Sequence, residues 1–182
     1  MARVPYVNRE DLPEHLRHLP RSASNITRAL SNSPHVAHHS GAIAHYFRDE
    51  SPLDARLREL AILQVGYSTR CAYEYFHHVK TALDAGVSER DILAIADETA
   101  GRRSALEPLA KAALRAAREM TDGLKVTAST FAELKRGLDD RSIVELIFAI
   151  ANYNGVVRML ESLEVELEDE YSVYLDRFPL PS

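Results

Sequence analysis

The sequence predicts an all-α protein, and three observations support that prediction. No stretch shows the sustained alternation of apolar and polar residues that a half-buried strand requires. β-Branched residues, which favour strands, rarely cluster. Candidate N-caps such as Ser88 and glycines such as Gly86 and Gly101 bracket runs with helical spacing of apolar residues. At 182 residues, 46% of them apolar, the chain fits a single compact helical domain over 1–182.

These N-caps and glycines delimit the predicted helices, taken here in chain order. The first twenty residues contain few such signals, whereas Ser51 and Pro52 are predicted to be an N-cap and a first-turn proline. The next helix is apolar nearly all round from Leu60 to Val65, so we expect it to be central. Ser68 or Thr69 caps its successor. The predicted helices are 9–19, 24–32, 34–48, 52–67, 70–85, 89–99, 106–122, 128–136 and 140–166.

Composition and charge exclude several classes of partner. The net charge is −5 and no basic stripe is present, which argues against nucleic acid or an anionic membrane. No apolar run suggests a membrane-spanning segment. A single cysteine cannot form an internal disulfide, and no secretory signal opens the chain, so we expect a cytoplasmic protein.

A weak internal repeat is visible. The pattern that joins Asp54, Glu59 and Tyr67 recurs at Asp140, Glu145 and Tyr153. We favour a duplicated helical hairpin, with a second copy over 140–166, above a chance match in a leucine-rich helical chain.

The main chemical motif contains the only cysteine. Cys71, Glu74 and His78 are spaced i, i+3 and i+7, so one helix face carries all three. A place in the first helical turn, beside Arg70, predicts a lowered thiol pKa for Cys71. The alternative is a buried structural cysteine. We expect these three residues to converge with Glu59 on one pocket, as needed for thiol or acid–base chemistry.

Each acidic or basic residue of this motif could have a structural role instead of a chemical one. Glu59 lies on the apolar helix, where a carboxylate needs a partner, and Arg58 could supply one. His78 is the expected base because its ordinary pKa is near neutrality. Glu74 either orients His78 or pairs with Arg70. For His77 we expect only packing or a position at the rim of the site.

A second group of histidines and an aromatic tail complete the candidates. Zinc could use the histidine group with Glu59 or His78, but the spacing lacks a tight ligand pair, so we expect no metal and a pocket lining or solvated face instead. The histidines are His35, His38, His39 and His45. The tail carries Tyr171, Tyr174 and Phe178, which we expect to dock on the body or on a second subunit.

Three motifs stand close together in the segment 57–92: Arg58-Glu59-Leu60, Cys71-x-Tyr73-Glu74-Tyr75-x-x-His78, and Ala85-Gly86-Val87-Ser88 with Ile92. Through them the segment resembles the carboxymuconolactone decarboxylase and alkylhydroperoxidase-D-like family. It implies a helical fold of packed hairpins and a homo-oligomer. In the alkylhydroperoxidase branch it implies a redox site with two cysteines, a proton-relaying glutamate and a histidine. Here Glu74 stands in place of the second cysteine, so no disulfide can close within one chain.

The resemblance and the residues together leave three functions open. The first is a one-cysteine thiol peroxidase acting on a small or organic hydroperoxide, with Cys71 as nucleophile and an external thiol as reductant. His78 is then the base, and Glu59 and Glu74 relay protons. The second is a cofactor-free lyase of the decarboxylase branch, acting on a small carboxylic acid. The third is a non-enzymatic helical oligomer whose thiol senses oxidation.

Overall fold

Residues 2–17 and 23–181 are described by the structure, a computed structural model, and all regular elements in those ranges are helical. The all-α prediction is therefore confirmed. The described α-helices are α1 (Asn25–Leu30), α2 (Pro34–Asp49), α3 (Ala55–Thr69), α4 (Ala72–Asp84), α5 (Glu89–Thr99), α6 (Pro108–Asp122), α7 (Ala128–Gly137) and α8 (Asp140–Leu163). Two 3₁₀ helices cover Glu14–Leu16 and Asp169–Tyr174.

The predicted helix boundaries hold within a few residues, with one exception. The predicted helix over 9–19 is wrong where it can be compared, since only Glu14–Leu16 forms a 3₁₀ turn and residues 18 and 19 lie outside the described ranges. Asp54, not Ser51, caps α3, because its carboxylate accepts a hydrogen bond from the Leu57 N–H at 2.9 Å.

The central helix is α3, as its apolar sequence predicts. Every residue from Leu57 to Gly66 is buried. α3 packs against α4, α5, α6 and α8, so it contacts more of the fold than a surface helix with one apolar stripe can. Any polar group of α3 between Leu57 and Gly66 is therefore surrounded by protein and needs a partner there.

The long helix α8 corrects one expectation from the sequence. It has 24 residues, and an 18-residue stretch within it has a mean hydropathy of 1.4, so by length and composition it could span a membrane, which the sequence analysis did not anticipate. Half of that apolar stretch is buried within the protein, and α8 packs against α3, α6 and α4. Among the described residues it is the one helix that meets these criteria, and its packing is that of a core helix.

The tail docks on the body, as predicted, through a carboxylate and an aromatic stack. Glu168 accepts hydrogen bonds from the Asn25 N–H at 2.6 Å and the Tyr73 hydroxyl at 3.0 Å, and it lies 2.6 Å from His77 Nε2. The His77 ring stacks between Tyr73 and Tyr171, with ring centroids 4.3 and 3.9 Å away. His77 thus joins α4 to the tail and packs away from His78.

Gly66 sets the closest approach of α3 to α4. A Cβ atom at this position would lie 3.1 Å from the backbone N and Cα of Tyr75. Backbone atoms of a packed helix cannot move aside as a flexible side chain can, so the two helices would have to separate. The position matters because the candidate site lies between these helices.

We predict that Gly66→Ala lowers the free energy of unfolding by about 1–3 kcal/mol, because it overpacks the α3–α4 contact. Gly155→Ala is the matched control, since a Cβ there meets nothing within 4 Å on an exposed position of α8. The control should be neutral or raise stability by up to about 1 kcal/mol through helix propensity. Urea unfolding of both variants measures the difference, and equal stability would contradict the close approach.

Candidate functional site

The turn between α3 and α4 places Cys71 just outside the helix. Arg70 adopts a left-handed conformation with φ 57°, and the Cys71 N–H then bonds back to the Gly66 carbonyl at 3.1 Å. α4 begins at Ala72, so Cys71 is its N-cap residue, one position before the predicted first turn. Ser68 and Thr69 do not cap α4, because they end α3.

The structure brings together three of the four predicted site residues around one imidazole. His78 Nδ1 lies 2.7 Å from Glu59 Oε2, and His78 Nε2 lies 3.0 Å from Glu74 Oε1. The second oxygen of Glu59 accepts a hydrogen bond from Arg58 Nε at 3.1 Å. Glu59 and Glu74 are 2% and 4% exposed. We call Arg58, Glu59, Glu74 and His78 the relay cluster.

Electrostatics within the relay cluster favour a charged imidazole. Burial by itself would lower the pKa of His78, but the negative charges of Glu74 and Glu59 and the hydrogen bond with Glu59 raise it to about 10. Burial would raise the pKa of Glu59, yet His78 and Arg58 hold it below its ordinary value. At neutral pH the imidazole therefore holds its proton, so His78 is a proton donor at rest, not the free base that the sequence suggested.

One oxygen of Glu74 lacks a hydrogen-bond donor. Glu74 Oε1 is fully buried and makes no hydrogen bond, because its 3.0 Å contact with His78 Nε2 has ion-pair distance but not hydrogen-bond geometry. The helix ion pair with Arg70, the alternative from the sequence, does not form among the described residues. A buried carboxylate oxygen in this condition can accept a proton or a hydrogen bond from a ligand.

Cys71 is inaccessible, and the predicted lowering of its thiol pKa is wrong. Its exposed fraction is 0%, and burial raises the pKa of the thiol to about 12. The Glu74 N–H at the start of α4 favours the thiolate, but the carboxylates of Glu161 and Glu74 oppose it. In the described part of the chain no hydrogen bond joins the thiol to His78. Desolvation thus outweighs the helix N-terminus at this position.

Sequence reasoning missed one neighbour of His78, and it gave one partner of Glu59 only as an alternative. The Tyr153 ring of α8 meets the imidazole edge to face, with ring centroids 4.7 Å apart. Arg58 was noted only as an alternative partner of Glu59, and it belongs to the relay cluster. The internal repeat had singled out Tyr153, but nothing in the sequence indicated that α8 crosses α4 at this point.

The relay cluster is covered by protein. The His78 side chain is 13% exposed and Tyr153 is 9% exposed, while Phe47 of α2 packs on Tyr153 with ring centroids 6.1 Å apart. Two surface depressions of about 310 and 460 Å³ lie elsewhere, between α6 and α7 and beside α5, and no relay-cluster residue lines either of them. The cluster is therefore largely shielded from solvent, and the His78 side chain is its most exposed part.

The predicted histidine group lies on α2 and does not join the relay cluster. His35, His39 and His45 are exposed, and His45 pairs with Asp49 at 2.7 Å. Within residues 2–17 and 23–181, no group of three His, Cys, Asp or Glu side chains is arranged to hold a metal ion. The group is a solvated helix face, which was one of the two alternatives to a metal site.

Glu145, the counterpart of Glu59 in the internal repeat, makes hydrogen bonds that hold the fold together. It accepts hydrogen bonds from the Tyr46 hydroxyl and from Ser51 Oγ, the latter at 3.1 Å. These bonds tie α8 to α2 and to the loop that follows it. No histidine or cysteine among the described residues takes part in these bonds.

Comparison with solved structures shows the same fold in proteins of low sequence identity. An alkylhydroperoxidase AhpD core protein from Ralstonia eutropha JMP134, an uncharacterized peroxidase-related protein, has a TM-score of 0.76 and 17% identity, covering 99% of this chain and 98% of that one. A peroxidase-related protein from Silicibacter sp. TM1040 has a TM-score of 0.70 and 17% identity, covering 80% of this chain and 77% of that one.

A third similar structure contains a ligand. It is a cysteine-to-alanine variant of the debrominase Bmp8 in complex with 2,3,4-tribromopyrrole, with a TM-score of 0.71 and 16% identity, covering 84% of this chain and 81% of that one. A search of curated proteins finds no match to the chain.

Residues 35–119 match the model of the carboxymuconolactone decarboxylase family. This stretch runs from α2 into α6 and contains the whole relay cluster and Cys71. The resemblance drawn from the motif is therefore confirmed, and it supports a peroxidase-related or decarboxylase-like function in general terms. Over residues 35–119 the chain is similar to the carboxymuconolactone decarboxylase family, and as a whole it has the alkylhydroperoxidase-D-like fold.

Proposed function

We propose that the protein is an enzyme that performs proton-transfer chemistry, of the lyase or isomerase type, on a small molecule. The observation that carries this proposal is the buried His78 imidazole between two carboxylates, one of which has an oxygen with no hydrogen-bond donor. An acid and a base held side by side in a dry site are what general acid–base catalysis requires. The side chains supply this chemistry by themselves.

Each member of the relay cluster has a distinct part in the proposed cycle. Glu74 Oε1 takes a proton from the substrate, and His78 Nε2 delivers its own proton to another substrate atom. The proton on Glu74 then crosses the 3.0 Å gap to His78, which restores both groups. Glu59, fixed by Arg58, accepts the hydrogen bond from Nδ1 and holds the ring in position. The proton count is unchanged over one turnover.

A one-cysteine peroxidase is the second candidate, and one contact favours it. The Glu74 N–H, at the start of α4, hydrogen-bonds toward the Cys71 thiol and lowers its pKa in part. In such a cycle the thiol loses its proton, the sulfur attacks the hydroperoxide O–O bond, and an alcohol leaves while sulfenic acid forms. Two equivalents of an external thiol then reduce the sulfenic acid. Because the thiol is buried, we rank the peroxidase below acid–base chemistry.

We predict that Cys71→Ser retains acid–base turnover within about threefold, whereas Glu59→Gln loses about 100-fold or more. The assay is deuterium incorporation from D₂O into a panel of small carbon acids, followed by NMR. The same variants are tested for consumption of an organic hydroperoxide with an added thiol. Hydroperoxide turnover that disappears in Cys71→Ser, without deuterium exchange in the wild type, would support the peroxidase instead. Thiol oxidation without turnover would indicate the redox sensor.

We predict that the relay cluster makes stability depend on pH above neutrality. The pKa of His78 is raised in the folded protein, so its contribution is complete below about 6.5 and is lost as pH rises through about 10. The free energy of unfolding should fall over this interval by an amount on the order of 3 kcal/mol. Urea unfolding at several pH values measures it, with His78→Gln and the exposed-site control His45→Gln. An unchanged slope in His78→Gln would contradict the assignment.

We also propose that the protein forms a homo-oligomer through α2 and the adjoining face of α8. α2 buries only Ala37 and Phe47 of its 16 residues. Val36, Val144 and Phe148 are 50%, 67% and 46% exposed, and Phe148 packs on Phe47, so both helices carry exposed apolar side chains. A second copy of the chain would cover this apolar surface.

We predict that light scattering at micromolar concentration gives a multiple of the 20.4 kDa chain mass, and that Val144→Glu lowers it. A charge introduced into the apolar surface opposes its burial against a second copy. Leu124→Glu is the control, because Leu124 is 93% exposed in the loop between α6 and α7. A monomeric wild type, or equal effects of the two variants, would contradict the proposed interface.

A further inference from the structure

The imidazole of His78 is held by one hydrogen bond within the described part of the chain. Nδ1 lies 2.7 Å from Glu59 Oε2, whereas the 3.0 Å contact of Nε2 with Glu74 lacks hydrogen-bond geometry. The last torsion of a histidine side chain has a broad energy minimum, so a single bond at Nδ1 leaves the ring free to tilt. A tilt would change the distance between Nε2 and Glu74, and packing must therefore restrict it.

Tyr153 of α8 packs against the imidazole and is itself held in place. The planes of the two rings meet at 80° with their centroids 4.7 Å apart, an arrangement that aromatic pairs prefer. Phe47 of α2 is 2% exposed and packs on the Tyr153 ring, with centroids 6.1 Å apart. In a close-packed interior, a ring with these two neighbours has little room to turn.

The contact between Tyr153 and His78 is one of rings. Burial, together with the charges of Glu74 and Glu59, raises the pKa of the Tyr153 hydroxyl well above its ordinary value, so the phenol is neutral at physiological pH. A protonated phenol cannot act as a general base there. The ring contact therefore acts on the orientation of the imidazole.

We propose that Tyr153 is a positioning residue whose ring, supported by Phe47, keeps His78 Nε2 next to Glu74. The proposal rests on the proposed function and deepens it, because the proton that returns from Glu74 to His78 must cross that gap in every turnover. A misplacement of about 1 Å at such a contact can cost on the order of 100-fold in rate. Tyr153 lies outside the matched region 35–119, so α8 adds this restraint from another part of the chain.

The test measures the motion of the His78 ring and the turnover in the same variants. The ¹³C relaxation of the Cε1–H bond in histidine-labelled protein gives an order parameter, and His78→Gln identifies the signal by its loss. In Tyr153→Leu the order parameter should fall from roughly 0.85, typical of a rigid group, to below about 0.6. In deuterium exchange, kcat should fall about tenfold while KM stays within about twofold. Phe47→Leu should show the same changes to a smaller extent.

Two further variants separate positioning from a general loss of packing. Tyr153→Phe keeps the ring, so it should keep the wild-type order parameter and at least about half of the wild-type kcat. Tyr171→Leu is the matched control, because Tyr171 is also 9% exposed but packs on His77, with ring centroids 3.9 Å apart. It should leave the order parameter of His78 and kcat unchanged.

Several outcomes would overturn the inference. They are an unchanged His78 order parameter in Tyr153→Leu, or an equal fall in Tyr153→Phe or in Tyr171→Leu. Should Tyr153→Leu fail to fold, Phe47→Leu takes its place, and an unchanged order parameter there has the same meaning. If the wild type exchanges no deuterium in any carbon acid, the proposed reaction is rejected, and the order parameters still decide whether Tyr153 positions the imidazole.

Discussion

Glu59 carries a buried carboxylate on α3, the helix around which the other helices pack. Its negative charge restricts which groups can lie next to it. An unpaired charge at that depth is strongly destabilising, so the fold must supply positive charge within hydrogen-bond distance. Arg58 does so from the same helix, and His78 does so from α4 at 2.7 Å. Because His78 reaches across from another helix, the packing of α4 on α3 and the state of the site are coupled.

This coupling also explains why the imidazole is charged. A histidine beside one carboxylate could still act as a base near neutral pH, but His78 lies between two carboxylates. Glu74 is the carboxylate next to its second nitrogen, Nε2. The acceptor role therefore passes from the histidine to Glu74. In a two-cysteine relative of the kind that the motif resembles, the Glu74 position would hold a thiol, and the histidine would have one carboxylate fewer. The glutamate thus changes the protonation state of the site as well as removing a disulfide partner.

Much of the fold and three of the four site residues could be predicted from the sequence, for identifiable reasons. Helical spacing placed Glu74 and His78 on one face, and the burial penalty on an apolar helix indicated that Glu59 needed a partner. The environment of Cys71 could not be predicted in this way. Its position depends on a left-handed residue that is not glycine, Arg70, and its burial depends on contacts from distant parts of the chain.

The surroundings of Tyr153 and Glu145, which lie two turns apart on α8, could not be predicted from the sequence either. The internal repeat gave both residues counterparts in α3, and both lie on a helix. Yet Glu145 bonds to Tyr46 and Ser51 at the surface of the bundle, whereas Tyr153 reaches the relay cluster. Repeat position therefore specifies a place along a helix but not which neighbour that helix faces. The crossing of α8 over α4 decides that, and through Tyr153 it brings an aromatic ring against the imidazole of a cluster whose other members all lie within the matched region 35–119.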